Sequence, residues 1–175
     1  MPKLVGDIHK KSIAETKILL ETQGFEELAM RDIAKRCGVA VGTLYNYFPS
    51  KEYLTGCVVL EDWEGVYDQM RSAAATADGI GRGLEAIYEL MCRFITEHRY
   101  LSSFDRRAAT GKFAFAQRHQ ILLDQIVVLL EMLQKRFGCN SDRSLTVFLA
   151  ESILNFSVKG YTYSQVAPGF MKLLN

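Results

Sequence analysis

Proline is scarce in this chain of 175 residues, with three in all, and no run of alternating apolar and polar residues points to a strand. The first scarcity leaves long helices unbroken, and the second excludes a sheet protein. Net charge is almost absent: 21 Lys and Arg stand against 20 Asp and Glu, a formal balance of +1. That excludes a polybasic protein held to nucleic acid or anionic membrane by bulk charge, so any nucleic-acid contact has to be local. Within residues 31–51, Arg31, Lys35, Arg36 and Lys51 face only Asp32. The four cysteines, Cys37, Cys57, Cys92 and Cys139, are far apart and never paired with each other or with histidine at zinc spacing. Reduced thiols in a cytoplasmic protein are expected. No stretch approaches the roughly 18 apolar residues of a membrane span, and "MPKLVGDIHKK" has no apolar signal region. No membrane partner is expected.

What is present is helical periodicity nearly everywhere, in a chain that is 49% hydrophobic and so has the means to build a core. The expected class is all-α. A first helix is predicted over about Ile8–Thr22, stopped by Gly24, and a second over about Met30–Cys37, stopped by Gly38. A third covers about Val41–Phe48. A long fourth, about residues 50–75, opens on Ser50 as N-cap with Glu52 in its first turn. "SAAATADGIGRG" reads as a domain boundary, or at least a hinge, near residues 76–83. Beyond it "LEAIYELMCRFITEHRY", "LSSFDRRAA", "FAFAQRHQILLDQIVVLLEMLQKRFG" and "DRSLTVFLAESILNFSVKG" read as helices, and "GFMKLLN" as a short apolar piece after Pro168.

The first 48 residues supply the parts of a helix-turn-helix: a small residue at the helix crossing, Ala34, a turn glycine, Gly38, and an apolar anchor, Leu44. Phe48, four residues after Leu44, shares its inward face. Thr43, Tyr45, Asn46 and Tyr47 are left to point sideways or outward, and Gly42 permits close backbone approach. Hydroxyls at Thr43, Tyr45 and Tyr47 suit phosphates, and Asn46 suits a base edge. Lys51 is placed to reach a backbone phosphate. The competing readings are half-buried aromatics for Tyr45 and Tyr47 and a solvated helix-end charge for Lys51.

"GFEELAMRDIAKRCGVAVGTLYNYFPSKEYL", Gly24–Leu54, resembles the DNA-binding domain of the tetracycline-repressor (TetR/AcrR) family of transcriptional regulators. The diagnostic pieces are "RDIA", "GV", "GTLYNYF" and "SKE", and the resemblance covers about residues 8–57. It implies an N-terminal three-helix DNA-binding domain, residues 1–50, joined through helix four to a helical regulatory and dimerisation domain, residues 51–175. It further implies that Arg31, Thr43, Tyr45 and Tyr47 touch DNA and that Lys51 clamps a phosphate. The implied partners are double-stranded DNA carrying an inverted repeat, a second copy of the chain, and a small-molecule effector that releases the operator. This chain has Ala29 and Ala40 where the family usually has Ser or Thr caps. Val41 stands at a frequent base-reading position, where it could sense a thymine methyl or pack inward.

In the C-terminal half, Trp63, Tyr67, Tyr88, Met91, Phe94, Phe104 and Phe113 belong to a pool of aromatic and soft side chains of the sort that lines apolar pockets. Plain core is the competing reading. Phe148, Leu149, Ser152, Ile153 and Phe156 fall at helical spacing and are expected to form a homodimer interface, against the alternative of intramolecular packing. His98 and His119, with Glu97 and Asp105, match no metal-ligand pattern, so neither metal nor cofactor is expected. No nucleophile-base pair, carboxylate pair or cofactor loop supports an enzyme. The expected function is a ligand-responsive repressor. A small-molecule binding or interaction protein that has lost DNA binding is the alternative, for which Ala29, Ala40 and Val41 speak.

Overall fold

Glycine sets the ends of the N-terminal helices. In the computed structural model, which describes residues 3–98, 109–139 and 142–174, with side chains from 7, 119 and 142 onward in these segments, α1 spans Lys3–Glu27 but breaks its helical path at Gly24 (φ 79°, ψ 174°). α2 is Met30–Cys37 and ends on Gly38 in the left-handed conformation. The Gly38 N–H donates to the Lys35 carbonyl at 3.2 Å and the Val39 N–H to Ala34 at 3.0 Å, the paired bonds of a glycine C-terminal motif. α3 covers Val41–Tyr47 and α4 covers Lys51–Thr76. α5 (Ile80–Glu97), α6 (Ala109–Phe137), α7 (Arg143–Val158) and α8 (Tyr163–Leu174) follow, with no strand among the described residues. The all-α expectation agrees with this.

Boundaries differ from the sequence reading at several helices, α1, α5 and α8 among them. α1 starts at Lys3, five residues earlier than the periodicity, and takes in Gly6. α5 starts at Ile80 and runs through two of the glycines expected to form a hinge. The reason is packing: a Cβ on Gly83 would lie 2.5 Å from Leu133 Cδ2, so the small residue lets two helices meet. α8 contains Pro168 rather than following it. Thr162 and Gln165 start this helix: the Thr162 N–H donates to Gln165 Oε1 at 2.8 Å, half of a capping box. The short helix expected from "LSSFDRRAA" lies outside the described residues.

The described residues form two compact units, 3–62 in the first and 63–98, 109–139 and 142–174 in the second. In the first, Ile13, Leu19, Leu20, Leu28, Met30, Ile33, Ala34, Leu44, Phe48, Leu54 and Val58 form a shared core, each large side chain contributing roughly 1.5–3 kcal/mol by burial. Ser12 and Thr16 are buried in α1 but donate to the Ile8 and Ser12 carbonyls, both at 2.7 Å. Lys17 pairs with Asp62, and this hydrogen bond raises the Lys17 pKa above its ordinary value. Arg36 pairs with Glu15 at 3.2 Å.

In the second unit, α5 packs on α6, α7 and α8, and α6 on α7. Leu84, Ile87, Met91, Ile126, Leu129, Leu133, Leu149, Ile153 and Phe170 fill the centre. Buried polar groups are bonded within it: Thr146 Oγ1 donates to Gln134 Oε1 at 3.1 Å and Ser157 Oγ to the Ile153 carbonyl at 2.6 Å. The Tyr88 hydroxyl donates to the Tyr161 carbonyl at 2.8 Å, and burial pushes its pKa up to about 12. None of the four cysteines is in a disulfide.

Candidate nucleic-acid interface

α3 has only seven residues, too few to be stable alone, so its orientation is fixed by what it buries. Leu44 within it and Phe48 just after it are fully buried, four positions apart on one inward side. The opposite side is left open. Val41, Gly42, Tyr45 and Asn46 are exposed and Thr43 is half-exposed, with Tyr45 retaining 48% of its surface. Beyond its chain neighbours and its own helix backbone, no described atom lies within 4 Å of where a Cβ on Gly42 would sit, so internal packing does not require glycine there. Tyr47 is half-buried and packs against the core, its ring 6.5 Å from Phe48. The face therefore comprises Val41, Gly42, Thr43, Tyr45 and Asn46, with Tyr47 at its edge.

Arg31 is on the first turn of α2, with 82% of its side chain exposed and a 3.7 Å contact to Asp32. Ala29 and Ala40 occupy the N-cap positions of α2 and α3 in extended conformation, and neither helix has a side-chain cap. α4 is capped: Ser50 Oγ accepts from the Tyr53 N–H at 3.1 Å. Tyr53 is an exposed residue that the sequence reading passed over, with 51% of its surface open and its ring 6.4 Å from Phe48. Its position three residues after the Ser50 cap was the available signal.

Lys51, the expected phosphate clamp, lies against the chain between α1 and α2. Its ammonium donates to the carbonyls of Phe25 at 3.1 Å, Glu26 at 3.3 Å and Leu28 at 3.2 Å, and lies 4.5 Å from the centre of the Phe25 ring.

In the second unit the expected pocket residues fall into two clusters. Trp63 packs edge-on to Phe94 at 5.1 Å, with Tyr67 at 6.5 Å from Trp63 and His98 at 4.4 Å from Phe94. Trp63 Nε1 donates to Gln125 Oε1. Tyr88 belongs to another group, 5.8 Å from Tyr163 and 5.9 Å from Phe170. Met91 is fully buried. Phe104 and the Phe113 side chain lie outside the described residues.

The expected dimer stripe is divided, which corrects its reading as one surface. Leu149 and Ile153 are buried in the chain's own core. Phe156 packs on Tyr161 at 5.2 Å and Phe170 at 6.1 Å, and Ser152 Oγ donates to the Phe148 carbonyl at 2.7 Å. Phe148 alone of the five is strongly exposed, at 60%, and Leu145 and Val128 are also exposed. A period that follows one helix does not say which side its neighbours take, and here α5, α6 and α8 all pack on α7.

Residues 13–55 match the family described as bacterial regulatory proteins, tetR family. The chain belongs to the TetR family. It is 30% identical over 128 residues to the HTH-type transcriptional repressor KstR of Rhodococcus jostii, covering 73% of this chain and 58% of that protein. It is 39% identical over 70 residues to KstR of Mycolicibacterium smegmatis, covering 40% and 34%. The matched segments thus span less than two thirds of these relatives' lengths. Among solved structures, the TetR-family repressor FadR of Thermus thermophilus, in complex with lauroyl-CoA, superposes with a TM-score of 0.69 at 20% identity, over 95% of this chain and 92% of that one. The fatty acid degradation regulator FadR of Bacillus halodurans gives 0.60 at 19% identity, over 95% and 94%. At these identities the structures establish the shared TetR-like fold.

Proposed function

We propose that this TetR-family chain is a sequence-specific, homodimeric DNA-binding regulator, a repressor released from an inverted-repeat operator by a small-molecule effector. The observation that carries this reading is the sidedness of α3. Leu44 and Phe48 anchor it completely while Val41, Gly42, Tyr45 and Asn46 stay open to solvent. Thr43 and Tyr45 would meet phosphates, Asn46 a base edge, Val41 a thymine methyl, and Arg31 and Tyr47 the flanking backbone. The effector would be largely apolar, taken up beside Trp63, Tyr67 and Phe94, with Gln125 as the polar anchor. That FadR of Thermus thermophilus holds lauroyl-CoA supports acyl thioesters as the first compounds to screen. The protein would act in the cytoplasm and carry no enzymatic activity. Among the described residues no helix is long and apolar enough to cross a membrane.

The deciding experiment is selection of bound fragments from genomic DNA by the purified chain, followed by footprinting. An inverted repeat should be protected, and Thr43→Ala with Tyr45→Ala should abolish protection while leaving the thermal unfolding midpoint nearly unchanged. Retained protection in the double variant would remove α3 as the reading element. A second reading, a ligand-binding protein with weakened DNA contact, is favoured by the uncapped starts of α2 and α3. It predicts effector-dependent thermal stabilisation with no selected fragment.

A further inference from the structure

We propose that a groove between the ends of α4 and α6 is a second small-molecule site, which takes an amphipathic anion: a short apolar body carrying one carboxylate or phosphate. The groove holds about 410 Å³ and is lined by Ala74 and Ala75 of α4 and by Met132, Lys135 and Arg136 of α6. That falls in the usual range for small-molecule sites, roughly 300–1,000 Å³. Ala74 and Ala75 create the space, because two methyl side chains in the last turn of α4 leave the wall low opposite Met132. Met132 is exposed, and its flexible thioether adapts to apolar ligands of varied outline. At about 1.5 Å of rise per residue, Ala74 lies roughly 17 Å along α4 from Trp63. The groove is therefore separate from the cluster of Trp63 and Phe94.

Charge on the rim sets the sign of the ligand. Lys17, Arg36, Arg71, Arg93 and Arg143 each pair with a carboxylate, whereas neither Lys135 nor Arg136 does among the described residues. Arg136 Nη1 donates to the Ala74 carbonyl at 3.3 Å, and its guanidinium carbon lies 5.4 Å from the centre of the Phe137 ring. The guanidinium is thus held at the groove with N–H groups to spare. Lys135 is exposed and has three hydrogens to donate. Both cations are in the last turn of α6, where they complement a helix dipole worth about half a negative charge, and the end of α4 brings about as much again. Two full charges exceed that sum and leave the rim positive. An apolar floor beside such a rim matches a molecule with both an apolar and an anionic part better than it matches either part alone.

The test uses the full chain and octanoate as the probe, read at the Met132 methyl group by methyl-selective NMR, with octanol and inorganic phosphate as the two parts of the probe taken separately. Trp63 is the chain's one tryptophan, so its fluorescence reports the other cluster independently. Octanoate should shift the Met132 methyl signal saturably, and octanol and phosphate should each need at least about tenfold higher concentration, the effect of one charge-assisted hydrogen bond or more. Lys135 has no hydrogen bond or ion pair with a described residue, so Lys135→Gln should leave folding intact and weaken octanoate about tenfold. Ala75→Leu should abolish binding with both cations in place. The proposal is overturned if octanol or phosphate matches octanoate, if either variant binds as the wild type does, or if octanoate changes Trp63 emission while the Met132 signal stays unmoved. A Met132 signal that follows protein concentration and ignores octanoate would place a second copy in the groove, and also overturns it. DNA takes no part in these readouts, so failure here leaves the operator reading standing.

Discussion

Gly42 and Leu44 are two positions apart on α3 and serve opposite sides of it. Leu44 is fully buried, whereas nothing within 4 Å of Gly42 would meet an added methyl group. Gly42→Ala should therefore raise stability by about 0.5 kcal/mol, since alanine loses less backbone entropy in a helix. If a phosphate backbone approaches that surface, the same methyl group obstructs it, and duplex affinity should fall about tenfold, or ~1.4 kcal/mol. Urea unfolding and fluorescence titration of a selected duplex would read the two effects. A stability gain with unchanged affinity would show that DNA does not approach α3 at Gly42. The sides of α3 were legible because positions 44 and 48 follow the helical repeat. The partners of Lys51 were not, because its carbonyls belong to a turn 23 to 26 residues earlier in the chain. A charge beside a helix start reads the same in sequence whether it meets solvent, phosphate or a folded turn.

At the scale of elements, glycine was the least reliable punctuation in one region and the most reliable in another. Gly24 and Gly38 have positive φ and end helical segments, so their positions mark boundaries directly. Gly83 has the same one-letter signal but sits inside α5, where it admits Leu133. Local propensity disfavours helix at such a site, and the helix–helix contact outweighs it. Gly83→Ala should lower stability by about 1–3 kcal/mol through overpacking, because Leu133 is itself buried and has little room to turn. Gly65, in α4, has nothing within 4 Å of its would-be Cβ. Gly65→Ala should raise stability by about 0.5–1 kcal/mol. Opposite shifts of the urea midpoint are expected, and a shift of the same sign in both would refute the packing account of Gly83. The capping box at Thr162 and Gln165 was readable four letters at a time, but Pro168 drew attention away from it. Pro168 lies past the first turn of that helix, where it has no N–H to donate to the carbonyl of residue 164, so packing and not local propensity carries the helix through it.

At the scale of the whole molecule, each unit fills its own core first, and only the apolar surface left over is open to a second copy. α7 puts Leu149 and Ile153 inward, so a second copy could not use them without unfolding the first. Phe148 and Leu145 on the same helix and Val128 on α6 remain exposed, and α6 and α7 are packed on each other. TetR-family regulators typically dimerise, and these three residues are among the apolar groups those two helices leave exposed. Phe148, the most exposed of them at 60%, has the size and rigidity of an interface anchor. Phe148→Glu would bring two carboxylates toward a desolvated surface across a two-fold axis and remove the ring that filled it. The dimer dissociation constant should rise by about 100-fold, equivalent to ~2.7 kcal/mol, as read by sedimentation equilibrium. Ile153→Ala should act on folding instead, costing about 2–5 kcal/mol by leaving a core cavity. If Phe148→Glu leaves the sedimenting mass unchanged across a wide concentration range, α7 is not where the copies meet. If the variant does dissociate, loss of operator binding with α3 untouched and the unfolding midpoint preserved would follow from separated half-sites, because each reading helix alone covers only half of an inverted repeat.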